Sequence, residues 1–162
     1  MWQESAYPEN KQELYELLAL QLGGLLEGER ELIPNLANMS ALIYGALKDL
    51  NWAGFYLMKN GELLLGPFQG KPACIHIPVG RGVCGTAAHT METQLVYDVH
   101  QFPGHIACDA ASNSEIVIPL VKDGKVLGVL DIDSPLRGRF DLQDQSGLEG
   151  LCALLVNACD WQ

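Results

Sequence analysis

EIVIPLVKDGKVLGVLDID, residues 115–133, is the stretch that decides the fold of this chain. Two runs rich in β-branched residues flank Lys122–Gly124, and this arrangement predicts an antiparallel hairpin. A three-residue loop with Gly124 in the left-handed conformation would place Glu115 opposite Asp131. A two-residue Asp-Gly turn would instead shift the pairing by one residue. We expect the three-residue loop.

A second hairpin, turning at Asn60-Gly61, and several helices complete the predicted architecture. The elements are predicted, in chain order, as a helix over 10–26, a helix opened by Pro34, strands over 52–58, 62–68 and 74–77, a helix over 83–91, a strand over 94–99, the strands 115–121 and 125–133, and a helix opened by Asp141. This order indicates an α+β fold with an antiparallel sheet. Residues 100–114 are predicted to form a polar loop.

Composition limits the partners of the chain. It has 162 residues, enough for one domain with a core, and its 10 basic and 20 acidic residues give a net charge of −10. This charge repels phosphate backbones and anionic lipid, so we expect no nucleic-acid or membrane partner. The first residues lack a signal-peptide pattern, and no apolar run approaches the roughly 20 residues of a membrane span. We therefore expect a cytoplasmic protein.

The five cysteines fall into two groups. Cys152 and Cys159 share a helical stripe with leucines, which is typical of core packing. Cys84 is predicted in the first turn of a helix, where the positive helix end and Arg81 would favour the thiolate. Two further cysteines lie in irregular segments, Cys74 before a short strand and Cys108 in the polar loop beside His105. Three unrelated structural thiols would fit this spacing equally well, and metal ligation is a weaker alternative because no tight zinc spacing is present.

Glu115, Asp131 and Asp133 are predicted to share one face of the second hairpin, because side chains alternate along a strand. Like charges at short range raise the pKa of at least one carboxyl, which could then act as a general acid while the others bind an ammonium group. An exposed acidic sheet end or a divalent-cation site explains the same pattern. Trp52 and Tyr56 begin the first strand on one face, with Gly54 leaving space between them, as a wall for a methyl group or as ordinary core.

Four long motifs resemble the free methionine-(R)-sulfoxide reductases, which are single GAF domains. They are NWAGFYL, GPFQGKPACIHIPVGRGVCGTAA, DVHQFPGHIACDAASNSEIVIPL and GVLDIDSP followed by GRFD, between about residues 51 and 141. The resemblance implies a GAF fold with a central antiparallel sheet, helices packed on one face, and loops closing a ligand pocket on the other. Residues 1–162 would form this single domain, with N-terminal helices in 1–50, sheet and catalytic loops in 51–140, and a C-terminal helix in 141–162.

The resemblance also implies the chemistry. Cys108 would attack the sulfoxide of free methionine and become a sulfenic acid, Cys74 would close a disulfide with it, and Cys84 would be a pocket cysteine able to resolve as well. The substrate-binding residues would be Glu115, Asp131, Asp133, Trp52 and Tyr56. Thioredoxin would recycle the enzyme, which would need no cofactor and would form a homodimer.

Two other functions stay open at this point. A GAF module that binds a small ligand or senses redox state is a non-catalytic alternative, although 162 residues leave little room for an output domain. A metal-binding protein is the other.

Overall fold

Six strands form one antiparallel sheet in the computed structural model, which describes residues 2–3, 5–106 and 108–161. The strands are β1 (Trp52–Lys59), β2 (Glu62–Gly70), β3 (His76–Pro78), β4 (Gln94–Val96), β5 (Ser114–Lys122) and β6 (Lys125–Ser134). The α-helices in the described part of the chain are α1 (Lys11–Leu26), α2 (Leu32–Ala46), α3 (Gly82–Thr90) and α4 (Leu142–Ala158). The strand order β3-β2-β1-β6-β5-β4 confirms the predicted α+β fold and places β1 beside β6 at the centre.

The two faces of the sheet carry different side chains. Phe55, Ile116 and Ile132 point to one face, where they form a core with α1, α2 and α4. Val117 and Val129 point to the opposite face and pack with α3. Alternation along the strands therefore separates a helix-covered face from a second face, which α3 and the loops cover. The predicted packing of helices on one face holds for α1, α2 and α4, whereas α3 lies on the other.

The register of the β5–β6 hairpin differs from the prediction. Its turn has two residues, Asp123 and Gly124, both with positive φ, and a bulge beyond Leu120 shifts the pairing by one more residue. The three-residue loop is therefore wrong, and Glu115 pairs with Asp133 rather than Asp131. The turn and the bulge together shift the pairing by two residues. An even shift keeps every side chain on its predicted face.

The ends of two other elements also differ from expectation. The third strand begins at His76, so Cys74 lies in the segment before it. The strand predicted over 94–99 ends at Val96, because the Asp98 side chain accepts a hydrogen bond of 3.0 Å from the His100 amide and caps a short 3₁₀ turn. Within the described ranges, none of the helices has the length and apolar character required to traverse a bilayer.

The last helix is fixed by a buried acid. Asp141 opens α4, as the sequence predicted, and it forms a reciprocal capping box with Asp144. Asp144 also accepts hydrogen bonds of 2.8 Å from the Tyr15 hydroxyl and 2.7 Å from the Lys11 ammonium. This contact ties α1 to α4 and closes the helical layer on one side of the sheet.

Candidate active site

A cavity opens on the α3 side of the sheet, between β1, β5, β6 and the loop segments 71–73, 105–106 and 108–112. Its empty volume, including solvent at the mouth, is about 560 Å³. All of the sequence-predicted site residues but Cys74 line it, and Cys74 is bonded to one that does. The lining members of that set are Trp52, Tyr56, Cys84, Cys108, Glu115, Asp131 and Asp133.

Cys74 and Cys108 form a disulfide across a Cα–Cα distance of 5.8 Å. Cys74 is half-buried between β2 and β3, whereas Cys108 is exposed in the loop before β5. The hydroxyl of Tyr56 donates a hydrogen bond of 2.9 Å to the carbonyl oxygen of Cys74. The disulfide that the resemblance implied is therefore present, and a pocket side chain holds its backbone in place.

Asn51 holds the loop that carries Cys108. Its amide nitrogen donates hydrogen bonds of 3.0 Å to Asp109 and 2.9 Å to the Ser112 hydroxyl. Its backbone N–H donates to the Asp133 carbonyl oxygen at 3.0 Å. Hydrogen bonds from the Ala111 amide and from Asn51 hold the pKa of Asp109 below its usual value. The loop is thus attached to the sheet at the edge of the carboxylate cluster.

Three carboxyl groups meet on the cavity wall. Glu115 and Asp131 are each only 6% exposed, and Asp133 is half-buried directly across the strand pair from Glu115. They lie on β5 and β6, whose alternation directs all three toward the cavity. No Lys or Arg in the described part of the chain forms an ion pair with any of them, and their nearest basic contact is the His105 ring, 3.7 Å from Glu115.

Burial sets the protonation of this cluster. It raises the pKa of Glu115 well above its usual range, and the charges of Asp131 and Asp133 raise it further. Burial also raises the pKa of Asp133 well above its usual range. Burial raises the pKa of Asp131 too, but hydrogen bonds from Glu115 and Cys84 favour its ionised form. Burial therefore favours the protonated form of Glu115 and Asp133, whereas at Asp131 the two hydrogen bonds oppose the effect of burial.

The structure corrects the expectation that Cys84 is a thiolate. Cys84 lies in the first turn of α3 as predicted, but it is 4% exposed, and burial raises the pKa of its thiol well above the usual value. The charges of Asp131 and Glu115 raise it further. Arg81 is exposed, although it lines the cavity, and its charge does not offset these effects. Tertiary burial thus outweighs the helix end, and Cys84 is a protonated thiol at neutral pH.

Aromatic side chains form the apolar wall. The rings of Trp52 and Tyr56 stack with centroids 5.9 Å apart, and both residues are almost fully buried. The space expected beside Gly54 is taken by Phe68 of β2, whose ring stacks on Trp52 at 5.0 Å. The indole N–H of Trp52 donates to the Lys71 carbonyl oxygen at 3.1 Å and so fixes the ring.

Comparison with known proteins places this chain in a family. The sequence profile of the GAF domain family matches residues 35–160. The free methionine-R-sulfoxide reductase of Escherichia coli is 57% identical over 146 residues, which are 90% of this chain and 88% of that protein. The free methionine-R-sulfoxide reductase of Saccharomyces cerevisiae is 51% identical over 158 residues, covering 93% of this chain and 88% of its own.

A solved structure agrees with both. The free methionine-R-sulfoxide reductase from Neisseria meningitidis, in complex with its substrate, superposes with a TM-score of 0.93 at 41% identity, covering 98% of this chain and 95% of that one. This chain belongs to the GAF-domain family of free methionine-R-sulfoxide reductases.

In this member of the reductase family, the structure adds residues that the sequence reasoning missed. Ile77, Val83 and Ser112 line the cavity, and Asn51 supports its wall. Asn51 stands inside the motif NWAGFYL, which was the only sequence signal for it. Cys152 and Cys159 are buried, and Cys152 packs in the core beneath the opposite face of the sheet. The structure therefore separates these two from the three cysteines at the cavity.

Proposed function

We propose that this chain reduces free methionine-(R)-sulfoxide to methionine, with Cys108 as the attacking nucleophile. One observation carries the proposal: the exposed Cys108 and the buried carboxyl cluster border the same cavity. The Cys108 sulfur supplies the electrons. Protonated carboxyls supply the proton that the sulfoxide oxygen needs in order to leave the substrate sulfur. The relatives described above carry the same activity in their names.

The first step transfers oxygen from substrate to enzyme. The Cys108 thiolate attacks the sulfur of the sulfoxide while a carboxyl protonates its oxygen, which turns a poor leaving group into a good one. Methionine leaves with its sulfur reduced, and Cys108 becomes a sulfenic acid that carries the oxygen. The thiolate and the donated proton together are equivalent to one thiol. The step therefore balances, because one thiol and one sulfoxide give one sulfenic acid and one thioether.

Glu115 is the proposed proton donor. Burial and the neighbouring charges raise its pKa, so it holds a proton at neutral pH. It also lies 3.7 Å from the His105 ring, and His105 belongs to the segment that carries Cys108. Burial and His100 lower the pKa of His105, so that its neutral ring can exchange a proton with Glu115.

Asp131 is the proposed anchor for the α-ammonium group of the substrate. Burial raises the pKa of Asp131, but hydrogen bonds from Glu115 and Cys84 oppose this and favour its ionised form, and no Lys or Arg in the described ranges forms an ion pair with it. A peptide-bound methionine lacks that ammonium group, which gives a physical reason for selecting the free amino acid. The stacked Trp52 and Tyr56 rings are proposed to hold the methyl group, with Asp133 completing the polar wall.

Cys74 is the proposed main resolving thiol. It reaches Cys108 with its backbone held by Tyr56, and its thiol would attack the sulfenic acid, forming the disulfide and releasing water. Cys84 is a weaker candidate, because its thiol is buried with a raised pKa. An external dithiol then exchanges with the disulfide, for which the exposed Cys108 offers a point of attack.

We further propose that thioredoxin supplies this dithiol, since its active-site thiols match disulfide exchange of this kind. A cycle that returns to free thiols fits the reducing cytoplasm. Pairing of two copies into a homodimer is also proposed, supported by the exposed side chains of Leu20 and Leu142, which are 76% and 72% accessible on α1 and α4.

The test of the function is turnover of free methionine-(R)-sulfoxide with a dithiol in Cys108→Ser, with Cys152→Ser as the matched control. We expect the first variant to lose turnover and the second to keep it, because Cys152 is buried away from the cavity. Substantial turnover in Cys108→Ser would refute the assignment of the nucleophile. A wild-type protein that binds ligand without consuming thiol would instead be a sensing GAF module.

A further inference from the structure

Three buried side chains together form a possible metal site, and the proposed reaction does not require this combination of residues. The sulfur of Cys84 and one carboxylate oxygen each from Glu115 and Asp131 lie within 4.8 Å of one another. They come from α3, β5 and β6, three elements that pack directly on each other. Side chains held on three packed elements keep their spacing better than side chains on loops.

The cluster also contains an atom without a partner. Asp131 is 94% buried, since only 6% of it is exposed, and it lines the cavity. Its Oδ1 atom has no hydrogen-bond donor among the described residues, so the hydrogen bonds from Glu115 and Cys84 leave this oxygen free. A buried carboxylate oxygen without a donor is destabilising, and a bound cation would offset this cost. The chain thus presents a negative atom in a position where a positive ligand would be stabilised.

We propose that Cys84, Glu115 and Asp131 bind one Zn²⁺ ion. Thiolate and carboxylate together suit zinc, whereas the hard cations Mg²⁺ and Ca²⁺ avoid sulfur. Zinc bonds of roughly 2.3 Å to sulfur and 2.0–2.2 Å to oxygen require ligand atoms about 3.5 Å apart, so the three side chains need to approach by about 1 Å. The fourth position faces the cavity and would hold water. Binding replaces the protons of the Cys84 thiol and of the Glu115 carboxyl, and both protons pass to solvent.

Zinc at this position would act as an inhibitor. It would occupy Asp131, where the substrate ammonium is proposed to bind, and it would take Glu115 out of proton transfer. This consequence rests on the proposed function, whereas binding of zinc does not. The experiment therefore measures binding itself.

The disulfide form of the protein gives the cleanest measurement, because Cys74 and Cys108 are then unable to bind metal. Zn²⁺ is titrated against a chromogenic chelator, and Co²⁺ is added separately to look for the charge-transfer absorption of a cobalt–thiolate bond. We expect one Zn²⁺ per chain and a cobalt–thiolate band. Among the described residues the free thiols are Cys84, Cys152 and Cys159, so the variants identify which sulfur binds.

Cys84→Ser is expected to weaken zinc binding by more than about tenfold and to remove the cobalt band, because loss of an outer-shell partner alone costs about 10–100-fold. Cys152→Ser is the matched control and should change neither. Glu115→Gln, which keeps the thiol, should weaken zinc while the cobalt band persists at higher concentration. Absence of zinc binding in the wild type would overturn the proposal. Binding of equal strength in Cys84→Ser would also overturn it and would point to a surface pair such as His76 with Glu62.

Discussion

Replacing Glu115 by Gln tests the proton donor directly. The side chain is buried at 6% exposure, and burial together with the charges of Asp131 and Asp133 raises its pKa. Gln has nearly the shape of the protonated acid and also lacks a charge, so the cavity should keep its form. What the variant loses is the ability to give a proton to the leaving oxygen.

The size of the loss follows from what a general acid contributes. Positioned proton transfer accounts for about 10²–10⁴ in rate, which corresponds to about 3–5 kcal/mol of barrier. The amide N–H of Gln can still polarise the oxygen through a hydrogen bond, so the loss should lie toward the lower part of that range. We expect substrate affinity to change little, because Asp131 is the proposed anchor for the ammonium group.

Single-turnover kinetics provide the assay. Pre-reduced protein is mixed with excess methionine-(R)-sulfoxide without a dithiol, and methionine is quantified after rapid quenching. Glu92→Gln, at an exposed position away from the cavity, is the matched control and should keep the wild-type rate. A Glu115→Gln rate within about threefold of wild type would show that another group supplies the proton and would refute this reasoning.

Four further outcomes are expected. The wild-type single-turnover rate should fall as pH rises through the raised pKa of Glu115, and a rate that is flat across that range would contradict the acid role. Cys74→Ser should release about one methionine per chain and then stop cycling with thioredoxin, so normal multiple turnover would exclude it as the resolving thiol. Tyr56→Phe removes a hydrogen bond of 2.9 Å to the Cys74 carbonyl oxygen, so it should slow disulfide formation, which is measured by trapping of the sulfenic acid. It should also lower the free energy of unfolding by about 1 kcal/mol, which is measured by urea titration. Asp144→Asn should lower that free energy by about 2–3 kcal/mol, because it breaks buried contacts to α1, and an unchanged urea midpoint would contradict this.

The carboxyl cluster also makes stability depend on pH. A carboxyl with a raised pKa in the folded state binds its proton more tightly there than in the unfolded chain, so its contribution is complete below the ordinary carboxyl pKa and is lost as pH rises through the folded value. Glu115→Gln removes part of this dependence. The free energy of unfolding of the variant, relative to wild type, should therefore increase with pH.

The sequence predicts which side chains of β5 and β6 share a face, and this prediction holds although the predicted register was wrong. Lys122–Gly124 is compatible with a two-residue or a three-residue turn, and the bulge beyond Leu120 has no local signature. The two deviations add to an even shift, so Glu115 still shares a face with the two aspartates. The face of a side chain is thus a local property, whereas its partner across the sheet is not.

The raised pKa of the Cys84 thiol and the hydrogen bonds from Asn51 to the loop that carries Cys108 could not be predicted, because both depend on residues distant in sequence. Burial, followed by the charges of Asp131 and Glu115, raises the pKa of the Cys84 thiol and outweighs the effect of the helix end. Asn51 contacts Asp109 and Ser112 at separations of 58 and 61 residues. Local patterns carry no information about such contacts. The motifs that resemble the reductase family were therefore more informative here than spacing alone.

We propose that Cys108 takes oxygen from free methionine-(R)-sulfoxide inside this cavity. Its most direct test is a single-turnover experiment on pre-reduced protein with the separated R and S sulfoxides, in which methionine and the Cys74–Cys108 disulfide are quantified together. We expect the R form to yield methionine and disulfide in equal amounts, and the S form to yield neither. Methionine without the matching disulfide, or no methionine from the R form, would contradict the account.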